Sequence, residues 1–123
     1  MTDTVPEIND EALDPGAVAA VVNQVCAAYT QWIEGDEARR ELRRSHPMAD
    51  GCEAPLHAMR EALAGIDPAY VDAALRQLAK QEGVELSLIE QPTRADMDAA
   101  VWCGSGEHPN EQGWATQIWI APW

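Results

Sequence analysis

The chain contains no phenylalanine and a single lysine, Lys80, and neither lysine nor arginine occurs before Arg39. A shortage of cations removes the contacts on which nonspecific affinity for phosphate backbones rests, so nucleic acid is a disfavoured partner. Anionic membrane surfaces are disfavoured on the same ground. No apolar run is long enough to span a bilayer. The acidic start MTDTVPEINDEALD also lacks the basic and apolar regions of a signal peptide, which makes the cytoplasm the expected compartment. Cys26, Cys52 and Cys103 are odd in number and widely spaced, so they read as reduced thiols rather than a disulfide framework. A GxSxG elbow, a Walker-type loop and a dinucleotide fingerprint are all missing, and the reading is against an enzyme.

What is present is negative charge and tryptophan. The 123 residues carry a formal net charge of −13, and four of the five tryptophans (Trp102, Trp114, Trp119, Trp123) lie towards the C-terminal end. The length suits one domain. Residues 1–13 read as a flexible acidic arm and residues 14–123 as a single compact domain.

Asp14-Pro15-Gly16 can cap and open a helix. Val18, Val21, Val22, Val25, Tyr29, Trp32 and Ile33 then recur at three- and four-residue steps up to a stop near Gly35. Asp36 can cap a second helix, DEARRELRRSHP, with a thin apolar face. PLHAMREALAG gives a third helix, and Asp67-Pro68 opens a fourth that ends at Gly83. VELSLIE then alternates as a strand, TRADMDAA has near capping-box spacing, and AVWCG and WATQIWIA read as strands around a turn, GSGEHPNEQG. The expected class is α+β: mostly helical, four to five helices, with a small three-stranded antiparallel sheet or hairpin at the C-terminal end. Alternation in the last strand places Ile118 and Ile120 towards the core and Gln117 and Trp119 on the outer face.

The stretch LHAMREALAGIDPAYVDAALRQLAKQEGVELSLI, followed by the two late strands, resembles the winged helix-turn-helix superfamily over about residues 54–121. That resemblance implies a recognition helix at 68–82 and a wing made of AVWCG paired with WATQIWIA. It also implies that Tyr70, Asp72, Ala73, Arg76, Gln77 and Lys80 are exposed, with Arg76 and Gln77 able to reach base edges. The turn between the wing strands carries Glu107 and Glu111 and no lysine or arginine, so a winged-helix shape used for protein contact is the expectation.

Three constellations remain. Arg39, Arg40, Arg43 and Arg44 pair at i, i+4 into a positive stripe that could hold an anion or nucleic acid. The plainer reading is a solvated helix neutralised by Glu37, Glu41 and the acidic arm. Cys52 with His57 and Cys103 with His108 repeat one spacing and could offer zinc two thiolates and two imidazoles, although the gaps are not those of known zinc modules. Trp119, Trp123, Gln117 and Trp102 form a candidate partner-binding patch, set against the alternative that these indoles cover the sheet.

The functional expectation is a regulatory or interaction protein without a cofactor, working first through a protein partner and second through DNA as a homodimer. The alternatives are an acidic inhibitor that fills a basic cleft (an immunity protein, antitoxin or nucleic-acid mimic) and a small zinc protein.

Overall fold

A computed structural model of the chain describes residues 10–46, 50–103 and 113–121. Helix α1, Pro15–Glu34, is opened by the Asp14 carboxylate, which accepts from the Ala17 amide. It buries Val18, Val21, Val22, Val25, Ala28, Tyr29 and Ile33, the face that the heptad-like spacing marks. Helix α2, Glu37–Ser45, starts at the Asp36 cap and buries no residue fully. A two-residue strand β1, Ala54–Pro55, leads directly into α3, Leu56–Ala62, and Asp67 caps α4, Pro68–Ala79. Gly65 takes a φ of 100° in the turn between them, a conformation side chains rarely adopt.

The remainder is strand β2, Val84–Ser87, helix α5, Arg94–Asp98, and strands β3, Val101–Trp102, β4, Trp114–Ala115, and β5, Gln117–Ile120. The capping box is complete: Thr93 and Asp96 each bond the other's backbone amide. The fold is therefore predominantly helical with a small three-stranded antiparallel sheet near the C-terminal end, as the sequence pattern predicts.

The sheet order departs from the expected wing. β5 runs down the middle, antiparallel to both β1 and β2, with Ile118 opposite Ala54 on one side and Leu86 on the other. Among the described residues β3 pairs with β4 alone, Val101 opposite Ala115 and Trp102 opposite Trp114. Thr116 divides the expected single strand WATQIWIA in two. Its amide donates to the Ser87 carbonyl, its carbonyl accepts from the Leu56 amide, and its hydroxyl accepts from the Ile89 amide. One buried residue thus ties three segments, and that is why pairing changes partner there. β1 escapes sequence reading because two residues, one of them proline, carry no alternation.

The core lies between α1 and α4 and under the sheet. Val25, Leu56, Ala74, Leu75, Val101 and Ile118 are fully enclosed there. Trp119 corrects the outer-face expectation, because it is only 7% exposed and belongs to the same cluster. Both faces of β5 are covered, so alternation identifies two sides without identifying which one meets solvent.

Candidate interaction surface

The arginine stripe on α2 splits by face. Arg39 and Arg43 point inward. The Arg39 guanidinium lies 4.0 Å from the centre of the Trp32 ring and donates to the Trp32 carbonyl at 2.6 Å. Arg43 sits between the rings of Tyr29 (5.2 Å) and Trp119 (5.8 Å), donates to the Tyr29 hydroxyl at 3.0 Å and bonds the Ile120 carbonyl. The Tyr29 hydroxyl in turn donates to the Cys52 carbonyl at 2.6 Å, and burial pushes its pKa up. These two arginines fasten α2 to α1 and β5, where the stripe reading placed them in solvent. Arg40 is exposed, and Arg44 meets Glu41 at 3.2 Å on the surface.

Arg76 is likewise no open base-reading group. Its side chain is 14% exposed and grips both oxygens of Asp10, Nε to Oδ2 at 2.8 Å and Nη2 to Oδ1 at 2.7 Å. Its Nη1 donates to the Trp102 carbonyl at 2.8 Å. The pair lowers the Asp10 pKa, chiefly through the Arg76 hydrogen bonds, and raises that of Arg76 for the same reason. Asp10 belongs to a short 3-10 turn, Asp10–Ala12, so the end of the acidic segment is docked on α4. Gln77 and Lys80 are exposed as expected, while Ala73 is buried, a correction to its expected exposure.

Among the tryptophans, Trp102 and Trp114 are half-buried and meet edge to face at 5.1 Å across the β3–β4 pair. Gln117 is half-buried beside Trp119 on the sheet and bonds Glu53 and the Ser87 hydroxyl. Trp123 lies outside the described residues. The candidate patch therefore resolves into a packed indole pair, one polar cluster and one buried indole.

The zinc constellation does not assemble among the described residues. Cys52 is buried, its thiol 3.7 Å from the His46 carbonyl, whereas the His57 side chain is 47% exposed and approaches Asp96 at 3.7 Å. Cys103 is exposed, and His108 lies outside the described residues. No group of three His, Cys, Asp or Glu stands close enough among the described residues to hold a metal ion. None of their helices is long and apolar enough to cross a membrane.

Sequence reasoning passes over one concavity. A cleft of about 540 Å³ opens beside the α3–α4 turn and the segment after α5. Leu63, Ile66 and Val71 supply apolar wall, and Arg60, Asp72 and Asp98 supply polar wall. Arg60 braces it: Nε donates to the Ala99 carbonyl at 2.7 Å and Nη2 meets Asp72 at 2.5 Å. The signal available in sequence is the tight Gly65-Ile66-Asp67-Pro68 turn; the approach of Ala99 and Asp98 is long-range and leaves none.

No protein-family model matches the chain, and no curated protein or solved structure matches it significantly.

Proposed function

We propose that this protein is a non-catalytic interaction domain on a winged-helix-like scaffold, and that its partner offers a basic protein surface. The scaffold part rests on order: a tight turn joins α3 to α4, β2 follows, and β5 returns beside it. The observation that carries the partner chemistry is the direction of the charges. Arg39, Arg43, Arg60 and Arg76 hold carbonyls, rings or a carboxylate of the chain itself. Meanwhile Glu34, Glu37, Glu61, Glu82, Glu85 and Glu90 are exposed. Arg40, Arg44, Lys80 and Arg94 stay exposed, but exposed carboxylates outnumber them, and such a field draws a cationic partner while repelling a duplex.

Capture from the native host at low and high salt tests this. The expected partner is basic, and its retention falls steeply as salt rises. Micromolar binding of a random-sequence DNA duplex, or a partner retained equally at both salts, overturns it. The same field favours one narrower reading, an inhibitor that fills a basic cleft; there the captured partner's own activity falls when this chain is bound.

A further inference from the structure

The geometry points to the cleft beside the α3–α4 turn as the place where an apolar side chain of the partner, flanked by lysine or arginine, is received. This deepens the basic-partner reading and rests on it. A volume of about 540 Å³ falls in the range of sites that hold small molecules or peptide side chains. Leu63 and Val71 are buried in the core and present their remaining surface to it, and Ile66 is half-buried in the wall. An apolar group entering there leaves water at roughly 25 cal/mol for each Å² of its surface.

The charges at the mouth select what flanks that group. The Asp72 carboxylate is matched by Arg60, so that pair is close to neutral. Asp98 lines the cleft and is exposed, and Glu61, next to the wall residue Arg60 in sequence, is exposed as well. Among the described residues Arg60 is the one cation in the wall, and its donors are directed to Asp72 and the carbonyls of Ala99 and Ala100. Apolar walls with an uncompensated acidic rim match a segment carrying a leucine-like side chain between cationic ones. The complement of either half alone is excluded: an anionic ligand meets Asp98, and a fully polar cation leaves the apolar wall wet.

Amide NMR spectra titrated with acetylated, amidated Arg-Leu-Leu-Arg, against Arg-Ser-Ser-Arg of equal charge, test the assignment. The leucine peptide is expected to shift amides of residues 63–72 and 98–100 in a saturable manner. The serine peptide is expected to bind at least about 5-fold more weakly, the worth of about 1 kcal/mol of apolar contact. Asp98→Asn should weaken the leucine peptide about 3-fold, as a rim charge does. Ala64→Trp, which fills the cleft from an exposed wall position, should abolish the shifts while the remaining spectrum stays native. Equal binding of both peptides, shifts scattered over the acidic surface, or shifts that survive Ala64→Trp overturn the proposal. A basic partner captured in a salt-sensitive manner whose footprint avoids 63–72 and 98–100 overturns the cleft alone and leaves the basic-partner reading intact.

Discussion

Arg76 and Asp10, far apart in sequence, form a two-pronged ion pair that joins α4 to the turn preceding α1. Paired N–H donors match paired carboxylate oxygens, the strongest geometry open to such groups. Asp10→Asn should cost about 1 kcal/mol at neutral pH, measured by urea unfolding, because the pair is partly exposed. The Asp10 pKa lies below its ordinary value of 3.8 in the folded chain. Its contribution is therefore complete above that value and disappears as pH falls through the lower folded value. The stability gap between wild type and Asp10→Asn should accordingly shrink with acidification below the ordinary value; a gap that stays constant denies the pair any role.

The Tyr29 hydroxyl accepts from Arg43 and donates to the Cys52 carbonyl. Tyr29→Phe leaves both groups without that partner in a part-buried site. A loss of about 1–2 kcal/mol in chemical denaturation is expected. No loss would mean that water replaces the hydroxyl without penalty.

Trp119→Ala separates a packing role from a docking role. Removing an indole that is 7% exposed should lower stability by about 3–5 kcal/mol. A variant that keeps its unfolding midpoint but loses partner capture would restore Trp119 to the surface patch.

The three thiols differ in access. Cys103 is exposed, Cys26 is half-buried with its pKa pushed up by burial, and Cys52 is enclosed. A thiol-reactive dye should label Cys103 first, Cys26 slowly, and Cys52 only upon unfolding, with sites assigned by peptide mass. Fast labelling of Cys52 contradicts the enclosure.

Gly113 has a φ of 85°, and a Cβ placed there would run into the Trp102 ring. Gly113→Ala should cost roughly 2 kcal/mol from strain and crowding together. A thermal melt unchanged by this substitution would show that the Trp102 ring gives way freely.

Local chemistry was the legible part of this molecule. The Asp14, Asp36 and Asp67 caps, the Thr93–Asp96 box and the valine stripe of α1 all act within a turn or two of chain, so spacing reports them. The charged side chains were legible only as charges. Whether Arg39 or Arg40 faces outward depends on where Trp32 lies, and whether Arg76 is open depends on Asp10. Alternation misplaces Trp119 for a similar reason, because α2 supplies Arg43 to cover the sheet side that the period-two pattern gives to solvent. Pairing partners of β5 were hidden by the Thr116 junction, whose three bonds are all long-range.

The middle strand of the sheet follows both of its neighbours in chain order. β1 and β2 have no pairing with each other, so neither can be stitched into a ladder until β5 arrives from far along the polypeptide. Closing those two long loops costs entropy before any strand bond repays it, whereas the helices need only local contacts. Assembly should therefore run helices first and sheet last in a single concerted step, with Ile118 as the peg on which both flanking strands are hung.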